Sequence, residues 1–270
     1  MIILAVIVTY YPEQSLLRKN INAFIDYVDK VIIWENTPEA DKFQFRFIQD
    51  DKVKYSGDGV NSISHALNYA WHYAQENGYD YLLTMDQDSV WENFQMYKDI
   101  VESENDTGAI YCPNINNDPS ICNPKQVVEY GITSGMLVPV EVLNKIGGYD
   151  EQFTIDGIDL DFCLKAKYNG IKTWAFKECV LKQRFGQPIE KKIIWKTIQV
   201  TSYSTIRLYS IYKGHIILLR RYKVSKLLKR RLLKNYLYYV PRNILLFEKE
   251  KRKKISAIIK GIYSGMVCKV

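Results

Sequence analysis

The first half of the chain alternates short apolar runs with amphipathic segments. The predicted strands are 1–8, 31–34, 53–55 and 81–85, and the predicted helices between them are 13–27 and 62–75. Strands that alternate with helices predict an α/β fold, in which helices cover both faces of a mostly parallel sheet. In such sheets the ligand binds beyond the carboxyl ends of the strands. The polar residues that follow each apolar run are therefore candidate site residues.

The second half continues this pattern and then changes character. We predict strands at 129–138 and 171–176, helices from about 140 and over 156–169, a loop at 147–151, and helices from 193 onward. Near the end, apolar residues recur every four positions with Lys and Arg between them, which is typical of an amphipathic basic helix: Val224, Leu228, Leu232 and Tyr236. We therefore predict an α/β domain over 1–205 and a basic helical C-terminal region over 206–270.

Composition agrees with this organisation and narrows the cellular setting. A chain of 270 residues with 47% hydrophobic content can form one large domain with a helical appendage. No stretch approaches the roughly 18 consecutive apolar residues of a membrane span. The N-terminal apolar run lacks the basic region of a secretion signal, and the five cysteines lack metal-site spacing. We expect a cytoplasmic protein with free thiols.

Charge is concentrated at the C-terminal end. Residues 207–270 contain 18 Lys and Arg but only Glu248 and Glu250, while the whole chain carries +7, so the preceding part is acidic. The basic region has three interpretations: a solvated charged face, a surface attracted to an anionic membrane, or a nucleic-acid site. Since no nucleic-acid motif accompanies it, we expect no nucleic acid as partner.

Two carboxylates follow the apolar run at 81–85. Asp86 and Asp88 flank Gln87 at a strand end, where a turn lets both reach one ligand. Their hard oxygens suit Mg²⁺ or Mn²⁺, which bind few protein ligands together with substrate phosphates. The alternative interpretation is a turn that simply ends the strand.

Three further carboxylates open the helix predicted at 156–169. Asp156, Asp159 and Asp161 are more acids than helix capping needs, although capping explains one or two of them. Crowding would raise the pKa of one of them toward that of a general base. If a helix begins at Asp156, Asp156 and Asp159 share a face, and Asp161 points away as a capping or surface acid.

The order of the motifs resembles glycosyltransferase family 2, and within it the rhamnosyltransferase-like branch. The matching segments are 7–10 (IVTY), 34–36 (WEN), 85–89 (MDQDS), 133–135 (TSG), 148–151 (GYDE), 153–159 (FTIDGID), 202–209 and 261–265 (GIYSG). The resemblance covers nearly the whole chain. It implies a GT-A fold and inverting transfer of a sugar, rhamnose in this branch, from a dTDP- or UDP-linked donor to a glycan or lipid-linked acceptor in surface polysaccharide biosynthesis.

The resemblance also assigns roles to individual residues. Asp159 takes the position of the catalytic base with Asp156 beside it, and Asp88 with Asp86 holds Mg²⁺ or Mn²⁺. The residues expected to line the nucleotide-sugar pocket are Thr9, Tyr10, Glu35, Asp86, Gln87, Ser134 and Gly135. A lipid-linked acceptor would place the protein on the inner face of the membrane, with its basic C-terminal region against anionic lipid.

The sequence departs from the family pattern at two places that bear on this site. Glu35 stands where an Asp is usual, and Gln183 stands near the place of a His that assists with metal or diphosphate. Lys182 or Arg184 could then share the diphosphate charge.

Two rival functions are weighed against glycosyl transfer. One is a haloacid-dehalogenase-type phosphatase with Asp86 as nucleophile, but that family carries its Asp-x-Asp on the first strand. The other is a non-enzymatic membrane or nucleic-acid adaptor, which leaves the acidic body unexplained.

Overall fold

The computed structural model describes residues 1–41, 45–184, 188–193 and 196–270, with side chains described outside 185–201. The chain divides into two compact units. Met1–Thr154 and Ile158–Gln183 form the first unit, and Ile155–Gly157 and Arg184–Val270 form the second. The domain boundary expected after residue 205 stays a prediction.

The first unit contains nine strands and five α-helices in its described residues. The strands are β1 (Ile3–Thr9), β2 (Lys30–Glu35), β3 (Val53–Ser56), β4 (Tyr81–Asp86), β5 (Val90–Trp91), β6 (Ile110–Ile115), β7 (Lys125–Val128), β8 (Met136–Pro139) and β9 (Thr173–Lys182). The helices are α1 (Gln14–Asn22), α2 (Ile63–Glu76), α3 (Phe94–Glu104), α4 (Val140–Ile146) and α5 (Ile158–Tyr168). The predicted strands of the first half are all present within one or two residues.

These strands form one mixed sheet in the order β3-β2-β1-β4-β8-β6-β9-β5, and β7 also pairs with β9. The half that contains β1 to β4 is parallel, and β8 runs antiparallel to both β4 and β6. Strand β1 is buried on both faces, which explains why its sequence is a continuous apolar run. The chain leaves β1 toward β2 and returns on its other side as β4, so a topological switch point lies at the carboxyl end of β1.

Two expected elements of the second half differ from the structure. Of the strand predicted at 129–138, only β8 forms, because Gly135 takes a φ of 79° that ends the extended conformation. The helices predicted from 193 onward begin only at Thr205. Residues Pro188–Ile193 (β10) and Lys196–Thr201 (β11) instead form an antiparallel pair. The alternation of polar and apolar residues through β11 has the two-residue period of a strand, and we misread it as helical.

The second unit is helical after β11. Its helices are α6 (Thr205–Arg221), α7 (Lys226–Lys234), α8 (Val240–Phe247) and α9 (Lys251–Val267), with a π-helical turn at Asn235–Tyr239. Ser204 and Ser225 accept hydrogen bonds from backbone N–H groups of the first turns of α6 and α7, which fixes where these helices begin. In the described part of the chain, no helix is both long enough and apolar enough to cross a membrane.

Candidate active site

Three of the predicted site residues lie at the carboxyl ends of adjacent parallel strands. Thr9 of β1 pairs in register with Glu35 of β2, and Val8 pairs with Asp86 of β4. The hydroxyl of Thr9 donates to the backbone oxygen of Trp34 at 3.1 Å. The sheet topology therefore gathers these residues at the switch point where α/β sheets bind ligands.

Gln87 ties the end of β4 to the end of β1. Its side-chain Oε1 accepts a hydrogen bond from the backbone N–H of Tyr10 at 2.7 Å, and its Nε2 donates to the carbonyl oxygen of Tyr10 at 3.1 Å. The paired bonds hold the backbone of Tyr10 while its ring stays half exposed. Gln87 thus supports the predicted pocket through the backbone of Tyr10.

Glu35 is buried, with 3% of its surface exposed, and it has a cationic partner that sequence reasoning missed. Arg46 donates from Nη2 to Oε2 of Glu35 at 2.6 Å and from Nε to both carboxylate oxygens. The guanidinium also lies 5.8 Å from the ring centre of Tyr55. A buried carboxylate requires such compensation, but no periodic pattern indicates which of the nearby cations supplies it.

Asp86 is held by residues from three other parts of the chain. Its backbone N–H donates to the hydroxyl of Ser134 at 3.1 Å, and its carbonyl oxygen accepts from Asn20 at 2.7 Å. Its carboxylate Oδ2 accepts from Nε2 of Gln183 at 2.9 Å. Gln183, which stands near the place of the family's His, therefore contacts the Asp-x-Asp motif directly.

The Ser134-Gly135 turn packs beneath this strand end. The hydroxyl of Ser134 is fully buried and lies 2.6 Å from that of Ser89. Gly135 donates its N–H to the carbonyl of Thr84, and a Cβ there would meet Pro113 at 2.7 Å. Only glycine combines this left-handed backbone with so close an approach.

The donor chemistry of Asp86 and Asp88 fits a divalent cation that completes its shell with phosphate oxygens and water. Both residues are half-buried at the strand end, so the motif brings two hard carboxylate donors to one place. Within the described ranges, no group of three or more His, Cys, Asp or Glu could enclose a metal ion. Lys182, considered for the diphosphate, forms an ion pair with Glu92 at 3.2 Å.

The acidic segment 156–161 is arranged differently from the expectation. Helix α5 begins at Ile158, so Asp156 precedes it and shares no helical face with Asp159. Asp159 lies half-buried in the first turn, where Oδ1 accepts from the N–H of Leu160 at 2.8 Å. Asp161 is 1% exposed, and its assignment as a surface acid was wrong. Gly157, with a φ of 88°, turns the chain before α5 and shifts the helix start.

Asp156 belongs to the second unit, where it has a guanidinium partner. Arg207 donates from Nη2 to Oδ1 at 3.0 Å and from Nε to Oδ2 at 3.1 Å. The fork matches both carboxylate oxygens, a strong ion-pair geometry.

His65, on α2, lies between two carboxylates. Its Nε2 is 2.7 Å from Oδ2 of Asp58, and its Nδ1 is 3.2 Å from Oε2 of Glu151. The bond to Asp58 raises the pKa of His65, the bond to Glu151 adds to this, and partial burial opposes both. Asn68 donates to Glu151 as well, so the cluster links α2 to the 147–151 loop.

Comparison with solved structures identifies the fold. S. aureus TarS in complex with UDP-GlcNAc matches 97% of this chain and 82% of that one, with a TM-score of 0.59 and 14% identity. The mannosyltransferase PcManGT from Pyrobaculum calidifontis, in complex with GDP-Man and Mn²⁺, matches 99% and 76%, with a TM-score of 0.59 and 12% identity. The chain spans about half, 49%, of a longer TarS structure. The fold is that of the GT-A glycosyltransferases.

A sequence relative gives the more particular likeness. The chain is similar to the dTDP-rhamnosyl transferase RfbF of Shigella flexneri, at 29% identity over 255 residues, which cover 85% of this chain and 83% of that protein. No protein-family model matches the chain. The resemblance inferred from the motifs is confirmed: the chain is a glycosyltransferase, and its sequence is similar to that of a dTDP-rhamnosyl transferase.

Proposed function

We propose that the protein transfers a sugar, rhamnose in the first instance, from a dTDP- or UDP-linked donor to an acceptor hydroxyl with inversion at the anomeric carbon. The observation that carries the proposal is the position of Asp86 and Asp88 at the switch point of the sheet, beside Thr9 and Glu35. Similarity to a dTDP-rhamnosyl transferase supports the choice of donor.

The nucleoside is assigned to the ends of β1 and β2. Tyr10 offers a half-exposed ring, and its backbone is fixed by Gln87. Glu35 reaches the base as a carboxylate that Arg46 already compensates, so base recognition at this position involves the pair and not an isolated anion. The hydroxyl of Thr9 is engaged by the backbone of β2 and shapes the pocket.

The diphosphate is assigned to the end of β4. Asp88 and Asp86 would hold Mg²⁺ or Mn²⁺ there, and the ion when bound supplies positive charge that stabilises the departing diphosphate. Gln183 keeps the carboxylate of Asp86 in one orientation. The Ser134-Gly135 turn supports the same strand end. We assign the transferred sugar to the neighbourhood of this turn.

The proton of the acceptor hydroxyl is assigned to Asp159. Inverting transfer needs a carboxylate that takes this proton as the new bond forms. The alternative base, Asp156, is occupied by the Arg207 guanidinium. On the resemblance to the family, we give the chemistry to Asp159 and a supporting role to Asp156.

The acceptor is proposed to be a glycan or a lipid-linked glycan of surface polysaccharide biosynthesis. Such an acceptor places the enzyme in the cytoplasm, at the inner face of the membrane. The charge of the C-terminal region agrees with that location, since basic segments are attracted to anionic lipid.

The test is donor turnover across dTDP-, UDP- and GDP-sugars, with and without Mn²⁺. We expect release of one nucleoside diphosphate, dependent on metal, and its loss in Asp88→Ala. Asp99→Ala, an exposed acid on α3, is the matched control. Turnover of no nucleotide sugar would contradict the proposal. Activity on simple phosphomonoesters that requires Asp86 would favour the phosphatase alternative instead.

A further inference from the structure

Helix α9 presents an apolar face to solvent. Residues at intervals of three and four along it are exposed by between 38% and 63%: Ile255, Ile259, Tyr263, Met266 and Val267. We call these five residues the outer stripe. Their spacing places them on one side of an α-helix. Apolar residues exposed singly are ordinary, but a continuous stripe on one helix marks an interaction surface.

The opposite face of α9 is fixed against α6. Gly261 and Gly265 are buried there, and a Cβ at either would meet a backbone oxygen of α6, that of Tyr209 at 2.6 Å or that of Lys213 at 2.7 Å. Arg220 of α6 also donates to the carbonyl oxygen of Gly265 at 2.7 Å. Because this close packing commits the glycine face to α6, the outer stripe cannot rotate inward without breaking it.

The surroundings of the stripe are basic. Arg252, Lys260 and Lys269 are exposed along the same segment. The two acids of the region, Glu248 and Glu250, each contact a lysine, Lys254 and Lys253 respectively. The polar surface that borders the stripe therefore carries a net positive charge.

This charge distinguishes between two partners that could cover the outer stripe, a second copy of the chain and an anionic lipid surface. A second copy of the chain, paired through a two-fold axis, would bring like charges together and incur repulsion. An anionic lipid surface would accept the apolar side chains and attract the bordering cations at the same time. Tyr263, with an apolar ring and a polar hydroxyl, suits the boundary between acyl chains and headgroups.

We propose that α9 is a membrane-docking helix that lies in the plane of an anionic lipid surface, with its outer stripe among the acyl chains. Its 17 residues span about 25 Å. The helix is not both long enough and apolar enough to cross a bilayer. The proposal names the partner surface of the location given above under the proposed function. The docking itself needs no sugar transfer. Only its biological role, to bring the enzyme to a lipid-linked acceptor, rests on the proposed function.

The experiment is co-sedimentation of the full chain with vesicles of phosphatidylcholine alone and of phosphatidylcholine with phosphatidylglycerol. The stripe variant is Ile259→Ser/Val267→Ser. Its matched control is Ile2→Ser/Val127→Ser, which removes the same two side-chain types from sites exposed by 48% and 49% in the first unit. Circular dichroism and thermal unfolding verify that both variants fold.

We expect the wild type and the control to bind the anionic vesicles, and the stripe variant to bind about tenfold or more weakly. Binding should also fall with added salt and in Lys260→Gln. Equal binding of the stripe variant, or equal binding of the wild type to both lipid compositions, overturns the proposal. A wild type that sediments as a dimer without lipid, while the stripe variant is monomeric, assigns the stripe to a second copy instead.

Donor turnover without vesicles separates the two proposals. The stripe variant should release nucleoside diphosphate at the wild-type rate. If the protein binds vesicles but turns over no donor, the docking proposal is supported and the proposed function is contradicted. Donor turnover without vesicle binding would leave the function and remove the docking helix.

Discussion

The side-chain Nε2 of Gln183 donates a hydrogen bond to Oδ2 of Asp86 over 2.9 Å, although the two residues are 97 positions apart in the chain. The backbone of Gln183 is held in turn by Asn116, which accepts from its N–H and donates to its carbonyl oxygen. Gln183 also contacts the hydroxyl of Ser89. The first acid of the Asp-x-Asp motif is thus oriented by a neutral amide at the end of β9.

Gln183→Ala should weaken binding of a nucleoside diphosphate in the presence of Mn²⁺ by about 10–100-fold. Partners that orient metal ligands typically contribute this much to metal affinity. Calorimetric titration of dTDP and UDP with Mn²⁺ measures the change. Gln95→Ala, an exposed glutamine on α3, is the control and should bind as the wild type does. Unchanged affinity in Gln183→Ala would show that Asp86 needs no such support.

Asp159→Asn should lower the transfer rate by about 10²–10⁴-fold while donor affinity is kept, because the amide cannot take the acceptor proton. Asp156→Asn should lower it less, since both oxygens of that carboxylate already accept hydrogen bonds from Arg207. Steady-state transfer and donor titration are measured for both variants. The opposite order of effects would move the base to Asp156, and lost donor binding in Asp159→Asn would make Asp159 a substrate ligand.

Arg46→Ala should lower the free energy of unfolding by about 1–3 kcal/mol, because it leaves the buried carboxylate of Glu35 without its partner. The double variant Arg46→Ala/Glu35→Gln should recover part of this loss. Urea denaturation measures both. Lys98→Ala, which removes an exposed ion pair with Glu102, is the control and should cost less than about 0.5 kcal/mol. Equal costs for the two single variants would contradict a special role for the Glu35 pair.

The stability contributed by His65 should depend on pH. Its pKa is raised in the folded protein, chiefly by the bond to Asp58, so its contribution is complete below the unfolded value of about 6.5. The contribution is lost as pH rises through the folded pKa. The difference in unfolding free energy between the wild type and His65→Gln should therefore shrink across that window.

Urea denaturation over a pH series checks this prediction. His72→Gln on the same helix is the matched control, since the described contact of His72 is stacking on Trp71 and not an ion pair. A difference between the wild type and His65→Gln that stays constant with pH would show that the charge of His65 does not stabilise the fold.

The parallel half of the sheet and the residues at its edge could be predicted from the amino-acid sequence alone. Strand β1 is buried on both faces and its sequence is therefore a continuous apolar run. Such a run can be recognised as a central strand from the sequence alone. The polar residues after β1, β2 and β4 could then be singled out, because ligands bind at the carboxyl ends of parallel strands. The excess of Lys and Arg after residue 206 was equally evident, since charge is a property of composition.

The pairing of charged and polar side chains became apparent only in the folded structure. Arg46 pairs with Glu35, Gln183 with Asp86, and Arg207 with Asp156, and each of these partners lies outside the periodic pattern of its own segment. The burial of Asp161 and the exposure of the outer stripe could not be predicted from the sequence either. Helical and strand periodicities report only which residues share a face. Which face meets solvent, and which side chains meet across the sheet, depends on how distant segments pack.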